Sequence, residues 1–146
     1  MQAFKGELFI EGGKMKEISE LKLPEDIRYS DDHEWARQEG DLIKMGISDY
    51  AQDQLGDIIF VELPEIGKKF EKGEECGTVE SVKTVSEIYM PVSGEIQATN
   101  QNLAQHPEMV NNEPYTGGWM IQIRPNDLGE MDLLMKKDAY LKMLKG

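Results

Sequence analysis

One lysine is the side chain in this sequence most open to chemistry. Lys83 lies in Glu80-Ser81-Val82-Lys83-Thr84, between the strand-like runs Glu75–Val79 and Val85–Tyr89. That arrangement puts it at or beside a hairpin tip. It is the only Lys or Arg between Lys72 and Arg124. An exposed turn lysine is ordinarily just solvated. Here Val82 and Val85 flank it, where a solvated turn normally carries polar residues or glycine. An apolar collar around one presented amine suits recognition by an enzyme that modifies that amine. The other reactive residue types offer less. Cys76, the single cysteine, precedes Gly77 in a strand-like run and reads as a small buried filler. With one cysteine, His33 and His106 are too few and too far apart to build a zinc site. His33 reads as a packing or hydrogen-bonding loop residue, and His106, before Pro107, as a loop residue. No spacing among the 28 acids singles out a general acid–base pair. Gly94 and Gly117-Gly118 are turn glycines without a phosphate-loop context, and Trp35, Trp119 and the nine methionines read as packing.

The elements that would position Lys83 are short and punctuated. Runs at 41–45, 57–63, 75–79, 85–89, 94–98 and 119–123 read as strands, the second apolar enough to be buried on both faces. Residues 48–55 form one or two helical turns, capped by Ser48 and stopped by Gly56. Val61-Glu-Leu-Pro-Glu-Ile-Gly67 and Ile88-Tyr-Met-Pro-Val-Ser-Gly94 share one apolar-x-apolar-Pro-x-x-Gly frame. The frame suggests the same turn ending equivalent strands in two halves of one sandwich. Leu128, Met131, Met135, Leu141 and Leu144 recur at near-helical spacing after Asp127, predicting a C-terminal helix with lysines at its end. Strands this short and regular make an antiparallel sandwich or barrel. Residues 1–23 are expected as a flexible or appended lead-in, and 24–146 as one domain.

Charge narrows the partners. The 146 residues carry a formal net charge of −12. Residues 1–23 are balanced, and 131–146 are basic, which leaves 22 acids against 8 bases in 24–130. Nucleic acid and anionic membranes are poor partners for such a chain. No apolar run reaches the ~20 residues of a membrane span, and Met1 to Met15 lacks a secretory apolar core. One cysteine cannot staple a secreted domain, so a reducing compartment, the cytoplasm, is expected. A monomer is expected too.

The residues around Lys83 carry a resemblance. Glu80-Ser81-Val82-Lys83, followed by Ser86-Glu-Ile-Tyr-x-Pro91-Val-Ser-Gly-Glu95, closely resembles the lipoyl-attachment segment of glycine cleavage system H proteins. So do His33-Glu34-Trp35, Gly46 to Asp53, Leu55 to Pro64, Val110-Asn111-Asn112, Pro114-Tyr115 and Gly118-Trp119-Met120. The similarity covers roughly 24–145 with its spacing kept. It implies a mainly β fold, the lipoyl-type barrel-sandwich hybrid with short helices, and a carrier in glycine catabolism and one-carbon metabolism that is no enzyme. Lipoic acid would be amide-linked to Lys83, with Glu80, Ser81 and Val82 read by lipoylating enzymes. The implied partners are glycine decarboxylase with its pyridoxal phosphate, a tetrahydrofolate-dependent aminomethyltransferase and dihydrolipoamide dehydrogenase.

An aminomethyl group on a lipoyl sulfur decomposes in water, so the family folds the loaded arm into a cleft with a carboxylate for the amine. By position that carboxylate is Glu34, with Asp32 and Glu87 as neighbours. Gln54 stands where several family members have a histidine, and glutamine cannot titrate near neutral pH. An H-like lipoyl carrier in lipoyl relay or sulfur metabolism would look much the same around Lys83. A lipoyl or biotinyl domain of an acyltransferase is disfavoured by the Val-Lys pair and the absence of Ala/Pro-rich linkers.

Overall fold

Strands with one apolar face must bury it against a second layer, and this chain does so with two antiparallel sheets. The computed structural model describes residues 15–146. Among these, the strands are β1 (Arg28–Tyr29), β2 (Glu34–Glu39), β3 (Leu42–Ile47), β4 (Ile58–Glu62), β5 (Lys69–Phe70), β6 (Glu75–Ser81), β7 (Val85–Tyr89), β8 (Gly94–Thr99) and β9 (Ile121–Pro125). The helices are α1 (Asp49–Leu55), α2 (Met109–Asn112) and α3 (Lys137–Lys145). The larger sheet runs β1-β2-β3-β9-β8-β5 and the smaller β4-β6-β7. Ile43, Met45 and Ile47 of β3, Ile96 of β8 and Ile121 and Ile123 of β9 meet Val79 and Ile88 of the small sheet in the main core. A second cluster holds Trp35 with Tyr29, Tyr115, Tyr140, Leu23 and Ile27. The mainly β architecture with short helices and a C-terminal helix is the one expected.

The repeated Pro-x-x-Gly frame marks two matched crossings. Pro64–Gly67 carries the chain from β4 towards β5, and Pro91–Gly94 carries it from β7 into β8. β4 and β7 flank β6, while β5 and β8 pair with each other. The glycines do different work, so one turn is not simply used twice. Gly67 is left-handed, with φ 94. Gly94 is needed for close approach: a Cβ there would collide with the Arg124 carbonyl oxygen and lie 2.9 Å from Pro125 Cα.

Several elements depart from expectation, each for a tertiary reason. β4 is not buried on both faces, because its register against β6 shifts between Ile58 and Phe60 and turns Phe60 outward. The C-terminal helix is divided. Asp127 caps a single 3-10 stretch, Leu128–Leu133, by accepting from Gly129 N. Leu134 is then extended, and Met135 exchanges two 2.8 Å backbone bonds with Tyr29 before α3 begins. Pairing with β1 outweighs helical continuity there. Lys142 and Lys145 do occupy the last turn of α3. Trp119 precedes β9 instead of opening it. β1, β2 and β5 have no clear alternation in sequence and exist through their partners.

Residues 15–23, the end of the expected lead-in, lie against α1. Lys16 Nζ pairs with Asp49 at 3.0 Å, Lys16 N bonds Asp53, and Lys22 N bonds Asp49. Leu23 is buried. The rest of that expectation, 1–14, lies outside the described residues. The Gly94 contact is directly testable. Gly94→Ala forces a methyl group into backbone that cannot rotate away, and should cost about 1–3 kcal/mol in urea denaturation. A loss below about 0.5 kcal/mol, the scale of an ordinary surface change, would disprove the close-approach role.

Candidate functional site

The hairpin that presents Lys83 is tied by its own serine. Glu80 pairs with Val85, and Ser81 N bonds the Thr84 carbonyl at 2.8 Å. Val82 and Lys83 form the tip. The buried Ser81 Oγ accepts from Lys83 N at 3.1 Å and from Thr84 N at 3.2 Å. This is the local side-chain-to-backbone bonding that lets serine shape a turn without glycine. Val82, Lys83 and Val85 are all exposed. The Lys83 side chain lies back over the end of α1, where Nζ donates to the Gln54 carbonyl at 3.0 Å. Gln54 thus meets Lys83 through its backbone.

The α1–β4 corner beneath the tip is clamped by a residue that sequence reasoning did not single out. Asn111 Nδ2 donates to Gln52 Oε1 and to the Gly56 carbonyl, both at 2.9 Å, while its Oδ1 accepts from Ile58 N at 2.9 Å. Gly56, with φ 81, ends α1 as expected. Val82 N then bonds the Asp57 carbonyl at 3.0 Å, joining tip to corner. A polar residue in a helix of only four residues gave one faint signal, its place beside Asn112 in a segment of the family pattern.

The acids gather elsewhere. Glu34 is 1% exposed. Its Oε1 accepts from Ser30 Oγ at 2.6 Å, and its Oε2 accepts from Tyr89 N at 3.1 Å. The second bond crosses from β2 to β7, sheet to sheet. Tyr89 OH approaches Glu87 Oε1 at 3.4 Å, and the Asp32 charge is felt at both Glu34 and Tyr89. Glu34 thus meets the Tyr89 backbone and Glu87 its exposed hydroxyl, with Asp32 near enough for its charge to act on both Glu34 and Tyr89. Lys83 and Gln54 do not share that spot: Tyr89 is six residues on, about 20 Å along an extended strand. Burial pushes the Glu34 carboxyl up to about 8, against the pull of its Ser30 and Tyr89 bonds.

Neighbouring groups are structural. His33 has φ 73, and its Nδ1 lies 2.8 Å from Tyr140 OH, which also contacts Ser48 Oγ at 2.8 Å. Burial lowers its pKa to about 4. Tyr140 of α3 stacks on Tyr29 with ring centroids 4.5 Å apart, so the C-terminal helix is docked against this loop. Cys76 is buried, and burial pushes its thiol up to about 12, as befits a filler. Trp35 is fully buried, with Nε1 donating to the Pro114 carbonyl.

The fold is a two-sheet sandwich that presents a valine-flanked lysine on a hairpin tip, with the buried Glu34 at the far end of that hairpin, the arrangement expected of a carrier module. Residues 27–146 match the family model described as glycine cleavage H-protein. The chain belongs to the glycine cleavage system H protein family. It is 50% identical over 124 residues to the H protein of Anoxybacillus flavithermus, covering 85% of this chain and 98% of that relative. It is 49% identical over 125 residues to that of Thermus thermophilus, covering 86% and 98%. Among solved structures it resembles a glycine cleavage system H protein from Mycobacterium marinum, with TM-score 0.78 and 36% identity over 85% of this chain and all of that one.

Glu34 makes a pH prediction. Its folded pKa of about 8 lies above the ordinary 4.5, so the folded state binds the extra proton between those values and loses stability as pH rises through that window. Glutamine supplies an uncharged side chain of the same length that can still accept from Tyr89 N. Glu34→Gln should therefore raise the melting temperature at pH 8.5, with the gain fading towards pH 4.5. An equal shift at both pH values would show that Glu34 is not held neutral.

Proposed function

We propose that Lys83 carries lipoic acid in amide linkage, and that the chain shuttles the aminomethyl group of glycine from a pyridoxal-phosphate glycine decarboxylase to a tetrahydrofolate-dependent aminomethyltransferase. Its electrons would then pass to dihydrolipoamide dehydrogenase. The observation that carries this reading is the exposed Val82-Lys83 tip, held by backbone and Ser81 Oγ while, among the described residues, the amine's one bond is to the Gln54 backbone carbonyl. The site fits the group, since an exposed amine can be acylated without unfolding the hairpin. Once bound, the group supplies a disulfide that accepts the one-carbon unit and two electrons.

The chain's own residues hold and shield. Ser81 fixes the tip, and Glu80, Ser81 and Val82 are the residues we assign to recognition by lipoylating enzymes. Glu34, with Asp32 and Glu87 around Tyr89, is our candidate for meeting the amine of the cargo. A carboxyl kept neutral by burial regains its charge when a cation approaches, because an opposite charge lowers a raised carboxyl pKa. Gln54 lies near the base of the tip and adds no titrating group. The acidic surface steers the chain towards basic enzyme mouths. Among the described residues no helix is long and apolar enough to cross a membrane. We place the chain in the cytoplasm, whose reducing conditions suit its free thiol.

Coexpression with a lipoylating enzyme should add one lipoyl mass to the intact protein, and Lys83→Arg should abolish it. An unmodified wild type would sink the reading. Glycine–bicarbonate exchange by a glycine decarboxylase supplied with the lipoylated chain separates a glycine carrier from a relay-type relative. Robust exchange is expected. Glu34→Ala should leave lipoylation intact but shorten retention of the aminomethyl cargo, and unchanged retention would remove Glu34 from the cleft.

A further inference from the structure

Among the described residues nothing covers the outer face of the β4-β6-β7 sheet, and its side chains form two rows. Phe60 of β4, Glu80 of β6 and Val85 of β7 are register partners across the three strands, so they project on one side. In the next row on that side Glu62, Thr78 and Glu87 are partners. The first row adjoins the Lys83 tip. Phe60 is 54% exposed, Val85 55%, Val82 65% and Ile59 50%.

This apolar exposure is built by the bulge. Phe60 stands two residues after Ile58, which is 3% exposed, and plain alternation would have buried both. The extra residue places Ile59 and Phe60 opposite Glu80, and returns Val61 to the core side. Bulges re-aim side chains in this way at functional positions. The strands of this sheet carry no Lys or Arg; Glu80 stands between Phe60 and Val85 in the first row, Glu62 and Glu87 flank Thr78 in the second, and Asp57 precedes β4.

We propose that this face is the docking surface for the enzyme that acylates Lys83, a protein whose active-site mouth presents an apolar step flanked by Lys or Arg side chains. The proposal rests on the assignment of Lys83 as the acylated residue. The choice of partner follows from reach. An enzyme that forms the amide must bring its acyl donor to Nζ itself and so must straddle the tip and the row beside it. Enzymes that act on the far end of a long arm have no such need. Charge complementarity favours a basic mouth, and contact made through it weakens with salt.

The test measures initial lipoylation rates of the full chain by intact mass, using a lipoate–protein ligase with lipoate and ATP. Phe60→Ser and Glu62→Lys should each lower kcat/KM about tenfold, chiefly by raising KM, while urea midpoints stay near wild type. Leu133→Ser, at a 70% exposed leucine that lines a cleft with Tyr29 and Met135, should stay within twofold. The wild-type rate should fall with added salt, and that of Glu62→Lys should fall less. Face variants within twofold of wild type would overturn the docking proposal. So would sedimentation showing that Phe60→Ser dissociates a dimer without slowing lipoylation, which would assign the face to a second copy. A wild type that gains no lipoyl mass would instead overturn the assignment of Lys83.

Discussion

The corner between α1 and β4 is the constraint on which the site depends. Asn111 uses both its amide hydrogens and its carbonyl oxygen there, on Gln52, the Gly56 carbonyl and Ile58 N. From Gln52 the bonding continues to the buried Asp49, and from Asp49 to Lys16. From Asp57 it continues to Val82 at the tip. Each partner is satisfied within the fold, and a buried polar network is worth having only when complete. Among the described residues no buried side-chain nitrogen or oxygen lacks a hydrogen-bond partner. The tip is thus anchored to the corner, while the Lys83 amine is held by a single exposed bond to the Gln54 carbonyl among the described residues.

Electrostatics divides the two ends of the hairpin. At the tip the lone cation rests on the end of α1, whose last carbonyls favour positive charge. At the far end burial sets the protonation of adjacent residues in opposite senses. His33 is lowered to about 4 and Glu34 raised to about 8, so near neutral pH both are uncharged. Between about pH 4.5 and 6.5 the neutral His33 makes stability rise with pH while Glu34 makes it fall. Their effects oppose each other there, and above that window the Glu34 effect remains.

How much was legible in sequence depended on whether the signal was local. The Ser48 cap, the Gly56 stop and the hairpin around Lys83 are set by residues within a few positions, and each stands where expected. That Glu34 and Glu87 both reach Tyr89 could not be read from spacing, because β2 and β7 meet by crossing between sheets; only a family pattern set Asp32, Glu34 and Glu87 side by side. The Asn111 clamp was unreadable, since its partners lie more than 50 residues away. Nothing in Ile58-Ile59-Phe60-Val61 announces a bulge, so among the described residues a run that looks fit for double burial leaves Ile59 and Phe60 exposed.

By itself the sequence determined the class: short strands, one collared lysine, a family pattern kept over most of the chain, and an acidity ill suited to nucleic acid. Those follow from composition, spacing and turn chemistry, which act locally. Tertiary structure alone decided that the C-terminal apolar run breaks at Met135, because Tyr29 offers it two backbone bonds. It decided likewise that Glu34 is buried and held neutral, and that Phe60 faces outward. Burial and register are properties of what a residue packs against, and a linear pattern does not contain its partners.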